Sequence, residues 1–190
     1  MSRNRLYRLV FTALLAAMVY VGTLIRIPLG ESKVHIANAL CILAGFMLSP
    51  VDGGVAAGLG SMLYDATLGG YDVLGCGITF VSKFAMAYVA GSLKGVLEKR
   101  IERQVSFAHA PFMYIIAALS ALSYVALYML KTFIFGFAVD GLNLAGVYAK
   151  MLAKLPASLI NAATATVLAP ILYAALWTPL KYAGITAKLR

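Results

Sequence analysis

The stretch His35–Asp72 reads HIANALCILAGFMLSPVDGGVAAGLGSMLYDATLGGYD, and its pattern decides the fold. Hydrogen-bonding residues stand at both ends, His35 and Asn38 at one and Asp65, Tyr71 and Asp72 at the other. Between them lie two apolar runs joined by the turn Ser49-Pro50-Val51-Asp52-Gly53-Gly54. If both runs cross a membrane, the turn lies on one side and the polar ends meet on the other. A polar cluster at one mouth of an apolar bundle is the arrangement a small-solute pocket requires.

Composition agrees with a membrane setting. The chain has 190 residues, 62% of them hydrophobic and 12% charged, and its mean hydropathy is +0.88. A soluble domain is roughly half apolar and about a quarter charged. The expected fold is therefore an all-α integral membrane bundle, one domain over residues 1–190, with about six transmembrane helices. Periodicity and length place them at about 6–27, 35–49, 53–68, 76–98, 110–137 and 151–178, with a longer loop at about 138–150. The basic, apolar N-terminus is read as a retained first helix: its apolar run exceeds a signal-peptide core, and no small-residue cleavage site follows it.

The net charge of +9 does not point to nucleic acid, because no aromatic-basic stripe accompanies it. Ten of the sixteen Lys and Arg residues cluster on one side of a six-span topology: Arg3, Arg5, Arg8, Lys94, Lys99, Arg100, Arg103, Lys181, Lys188 and Arg190. The positive-inside bias makes both termini cytoplasmic. His35, Asp65 and Tyr71 then lie towards the outside. Cys41 and Cys76, the two cysteines, form no CxxC and no zinc spacing.

Small residues four apart recur as Gly54-xxx-Gly58, Ala56-xxx-Gly60, Ala57-xxx-Ser61, the run Ala87, Gly91, Gly95, and Ala13-xxx-Ala17. Such faces let helix backbones approach closely. Internal packing accounts for most of them. For Ala13 and Ala17 a docking surface for another membrane protein stands beside that reading.

Lys83 is the sharpest single residue, a lone charge within an apolar helix. An intramembrane lysine costs roughly 2.5–3.5 kcal/mol even on the lenient insertion scale, so it requires an anion or a good acceptor. Two readings stand: an ion pair with Asp65 that fixes helix packing, or a ligand contact. His35 and Asn38 share one helical face and offer an imidazole and an amide. Asn161 sits in the middle of the last span, where an amide bonds another helix or a ligand. Tyr124, Tyr128 and Lys131 form one stripe on the fifth helix, and Gly69-Gly70 lets the loop carrying Tyr71 bend over a site. There is no Walker A sequence, no HExxH, no GxSxG and no deep carboxylate pair. No catalytic or metal site is expected, and uphill transport would draw its energy from a partner or an ion gradient.

Taken in order, these residues resemble the substrate-binding S component of an energy-coupling factor (ECF) vitamin transporter. The resemblance covers essentially the whole chain. It is carried by HIANALCILAGFMLSPVDGGVAAGLGSMLYDATLGGY, by the lysine that follows at position 83, and by Ala13-xxx-Ala17. Ser49-Pro50 departs from the Gly-Pro that is usual there. The resemblance implies a non-enzymatic, high-affinity vitamin-binding subunit in the bacterial cell membrane. It implies a transmembrane coupling protein and two cytoplasmic ATPases as partners, with ATP used by those partners and no cofactor in this chain. It also implies docking through Ala13 and Ala17, release by toppling, a lid that includes 28–34, and a binding site of His35, Asn38, Asp65, Tyr71, Lys83, Tyr128 and Asn161. A pantothenate-type or a pyridoxine/pyrimidine-type ligand is expected before riboflavin or cobalamin. The alternatives are a structural or assembly membrane protein without a ligand and, third, a membrane enzyme acting on lipid, which the missing acid/base and metal sites disfavour.

Overall fold

The computed structural model describes residues 3–29, 32–101 and 110–189. Its elements, in order, are α1 (Arg3–Leu24), β1 (Arg26–Leu29), β2 (Ser32–His35), α2 (Ala37–Met47), α3 (Pro50–Tyr64), a π-helical turn (Asp65–Gly69), α4 (Val73–Ile101), α5 (Ala110–Ala138), α6 (Leu144–Tyr182) and a short 3-10 turn (Thr186–Lys188). The six α-helices form one bundle, and four of them, α1, α4, α5 and α6, are long and apolar enough to cross a membrane.

The second and third helices depart from expectation. With 11 residues, α2 is only about 16 Å long, roughly half of a bilayer's hydrocarbon core. All its residues are buried, as befits a helix apolar on every side. It packs against α1, α3, α4 and α6. A polar chamber and its roof fill the rest of that column, so this run does not cross alone. The expected Ser49–Gly54 turn shrinks to Leu48 and Ser49. The hydroxyl of Ser49 caps α3 by accepting from the Asp52 N–H at 3.2 Å, and Pro50 occupies the first helical position. Asp52 accepts from Arg8 through Nε at 2.8 Å and Nη2 at 2.5 Å, tying the start of α1 to the start of α3.

The last helix begins early. Asn143 caps it by accepting the Gly146 N–H at 2.9 Å, so most of the loop expected at 138–150 is helix. The Lys150–Asp140 ion pair, 2.6 Å, holds that start. Residues 26–29 and 32–35, in a stretch expected to end the first helix and form a lid, instead make an antiparallel two-stranded sheet, Arg26 opposite His35 and Leu29 opposite Ser32. The fold is thus all-α with a small β roof. Gly30 and Glu31 of the expected lid lie outside the described residues, as do Arg103 and Arg190.

The small residues do what close packing asks. A methyl group on Gly45 of α2 would stand 2.2 Å from the Ala87 carbonyl oxygen of α4, and one on Gly60 of α3 would stand 2.3 Å from the Ala16 carbonyl oxygen of α1. Gly54 and Gly58 face Phe84 and Phe80. The small faces of α3 and of Ala87 and Gly91 are therefore internal packing. Gly95, by contrast, has open space. Ala13 and Ala17 are exposed on the outer side of α1, while Ala16 is buried.

Gly45→Ala should lower the thermal stability of the purified chain by about 1–3 kcal/mol, because a carbonyl oxygen cannot rotate away as a side chain can. Gly95→Ala should be neutral or stabilising by about 0.5–1 kcal/mol. Equal effects at the two positions would contradict the close contact of α2 and α4.

Candidate functional site

One end of the bundle gathers polar residues from the end of α1, the β-hairpin, the end of α3, the π-helical turn, the start of α4, the second half of α5 and the first half of α6. They enclose a cavity of about 120 Å³. Six of the seven expected binding residues line it: His35, Asp65, Tyr71, Lys83, Tyr128 and Asn161. Asn38 does not. It lies buried behind the wall, where its Oδ1 accepts a hydrogen bond from the Lys83 ammonium.

Lys83 stands ten residues into α4, about 15 Å along it, and is 4% exposed. The ion pair with Asp65, one of the two readings, is not formed. The ammonium sits instead on the Asn38 amide oxygen and 3.9 Å from the centroid of the Tyr124 ring. Both partners are neutral. An amide oxygen and an aromatic face stabilise a cation without cancelling its charge. Tyr124 and Tyr128 stack on α5 with centroids 6.1 Å apart, and Tyr124 lines the cavity too.

Asn161 has a different role from the one expected. It does line the cavity, but its amide is committed to the hairpin. Oδ1 accepts the His35 backbone N–H at 2.9 Å, and Nδ2 donates to the Lys33 carbonyl oxygen at 2.7 Å. In a strand, the C=O of one residue and the N–H two positions on point to the same edge. One amide side chain therefore completes the free edge of β2 as a neighbouring strand would. Pro28, opposite Lys33, falls where a missing N–H removes no ladder bond. Asn161 thus latches the roof to α6.

The roof is also held near its margins. The Arg26 guanidinium donates to the Tyr64 hydroxyl and lies 5.6 Å from that ring's centroid. Lys131 stands 5.1 Å from the Tyr71 ring and 5.5 Å from Phe135. The Tyr71 N–H donates to the Asp65 carbonyl at 3.3 Å. Gly70, at φ 69°, makes the left-handed turn that ends the π-helical segment. Burial pushes the Tyr71 phenol up to about 12, with the Asp65 charge acting the same way, so Tyr71 is a neutral hydrogen-bonding group.

Sequence reading missed Arg26, Lys33, Ser61, Tyr64, Thr79 and Ser82 as cavity residues. A signal existed for several of them. Thr79, Ser82 and Lys83 repeat at helical spacing on one face, as do Ser61, Tyr64 and Asp65. Among the described residues no cluster of His, Cys, Asp and Glu could hold a metal ion.

His35 Nδ1 is buried with no hydrogen-bond partner among the described residues. Burial holds the imidazole far below its ordinary range, at about 3; the charges of Lys83 and Lys33 push the same way, against its backbone hydrogen bond. The unfolded chain therefore takes up a proton below about pH 6.5 that the folded chain refuses. The neutral imidazole's contribution is fully present above about pH 6.5 and is lost as pH falls towards 3, by about 1.4 kcal/mol per unit. Thermal unfolding of His35→Gln should show a shallower loss between pH 6.5 and 4.5 than the wild type; parallel curves would refute the assignment. At the latch, Asn161→Leu strands a backbone donor and acceptor. Hydrogen exchange at the His35 amide should quicken by about tenfold or more, and an unchanged rate would mean that the latch carries no load.

Comparison with known proteins adds three findings. No curated protein matches the chain. A solved structure described as "Structure and mechanism of the S component of a bacterial ECF transporter" shares the fold: TM-score 0.62 at 17% identity, covering 92% of this chain and 97% of that one. The family described as "ECF-type riboflavin transporter, S component" matches residues 3–178. With that match over nearly its whole length, and with a polar chamber roofed at one end of an apolar bundle, the chain belongs to the family of ECF transporter S components.

Proposed function

We propose that this chain captures a small water-soluble vitamin or precursor, pantothenate-type or pyridoxine/pyrimidine-type, and delivers it for ATP-driven import. Its family makes it a membrane vitamin-binding subunit of an ECF transporter, not an enzyme. The finer reading rests on one observation: a cavity of only about 120 Å³ carries a buried cation, four tyrosine rings and a neutral imidazole. That volume lies well below the roughly 300–1,000 Å³ typical of sites that enclose drug-sized ligands. It favours a compact ligand with a hydrogen-bonding or charged end over a three-ring one. Tyr124 and Tyr128 offer a flat ring a stacking surface.

Riboflavin is the second reading. The vitamin named in the family's description and the stacked Tyr124–Tyr128 pair support it, and it requires the hairpin to move outward.

The partners follow from the family: a coupling module and its ATPases, here read as one transmembrane coupling protein with two cytoplasmic ATPases. The exposed Ala13 and Ala17 face of α1 suits that docking, since small residues admit a close helix. The basic residues Arg8, Lys94 and Lys188 gather at the end opposite the cavity. This supports cytoplasmic termini and a cavity open to the outside of a bacterial cell.

Calorimetry on the purified chain in lipid nanodiscs, with pantothenate, pyridoxine, hydroxymethylpyrimidine and riboflavin, tests the reading. A compact member should bind with Kd below about 1 µM. Riboflavin binding alone would establish the second reading, and no binding by any of them would overturn both.

A further inference from the structure

The charges that line the cavity are unbalanced. Four cationic side chains, Arg26, Lys33, Lys83 and Lys131, face it, against the single carboxylate of Asp65. Among the described residues none of the four makes an ion pair, whereas Arg8, Lys94 and Lys150 each do. The partners of three are neutral instead: the Tyr64 hydroxyl and ring for Arg26, the Asn38 amide and Tyr124 ring for Lys83, and the Tyr71 and Phe135 rings for Lys131. Arg8 and Lys150, by contrast, are paired with carboxylates, and so is the buried Lys94, with Glu98 at 3.0 Å.

The cations are also graded by depth. Arg26 and Lys33 are exposed at the roof, Lys131 is half-buried at the rim, and Lys83 is buried at the inner end. Low-dielectric walls around charges of one sign focus their field along the path inwards. A cation in such surroundings, held only by an amide oxygen and a ring, lacks the counter-charge that burial demands. The buried His35 Nδ1 without a partner is a second polar atom in the wall that is left for a ligand.

From this we infer that the ligand is an organic anion, a carboxylate or phosphate monoester, whose charged group seats on Lys83 after passing Lys131 and the hairpin cations. The inference rests on the vitamin-binding reading above and narrows it: within any one vitamin scaffold, the anionic form is the substrate. Asp65 then discriminates. A ligand whose negative charge lies at the end nearest Asp65 meets repulsion, so the anion enters in one orientation. Lys83 is a ligand-binding residue, and Asn38 and Tyr124 are positioning residues that hold its ammonium.

Matched pairs test this in nanodiscs: pantothenate against pantothenol, pyridoxine 5′-phosphate against pyridoxine, and FMN against riboflavin. In the pair that binds, the anion should be tighter by about tenfold or more. The first pair reports a carboxylate, and the other two report a phosphate. Association of the anion should slow as salt rises, while that of the neutral member should not. Lys83→Met should bring the ratio close to one. Lys131→Met, at a half-exposed position that tolerates change, should reduce the association rate of the anion alone. A neutral member binding as tightly as its anion, or an anion preference untouched in both variants, overturns the inference and leaves the vitamin reading standing. Absence of binding in all three pairs overturns both.

Discussion

A lysine ammonium is held inside an apolar bundle, and much of the structure serves to make that tolerable. Lys83 is buried ten residues into α4, yet no carboxylate neutralises it. Asn38 is fully enclosed at the start of α2 so that its amide oxygen meets the ammonium. Tyr124 turns its ring face towards the same charge at 3.9 Å. The arrangement leaves the amine nitrogen with one amide oxygen and one ring face as its partners.

Backbone proximity makes this geometry possible. The short α2 packs closely on α4 because Gly45 admits the Ala87 carbonyl, and α3 packs closely on α1 because Gly60 admits that of Ala16. Side chains at those contacts would push the outer helices apart and open the chamber to lipid. Dispersion and close packing, with no hydrophobic drive between helices in a membrane, hold such contacts together. The ends are then tied separately. Arg8, Asp52 and Ser49 fasten α1 to α3 at one end, and Asn161 fastens the hairpin to α6 at the other.

The bundle was legible because a run of apolar residues with few charges has no other stable setting. The polar ends of the His35–Asp72 stretch also met where their spacing implied, and most of the expected lining is there. What escaped the sequence was whatever depends on backbone groups or on distant partners. Asn161 read as a ligand contact because an amide in a span announces only that it has a partner. That the partner is the edge of a strand requires knowing that four-residue strands form at 26–29 and 32–35, segments too short to carry a period. An ion pair of Asp65 with Lys83 stood as one of two readings because opposite charges at similar depth suggest one, whereas the Asn38 amide intervenes from another helix. Asn143 was a legible cap, overshadowed by the glycines and charges on either side of it.

The Asn161 latch has a consequence for how this protein family member is free to change. Its two bonds go to main-chain atoms, the Lys33 carbonyl and the His35 N–H, and to no side chain of the hairpin. The fastening is therefore indifferent to what the roof is made of. The residues of the hairpin are open to replacement by others of different size and charge while the same amide still holds them to the same helix. The tie to α6 thus survives a change of the roof's side chains.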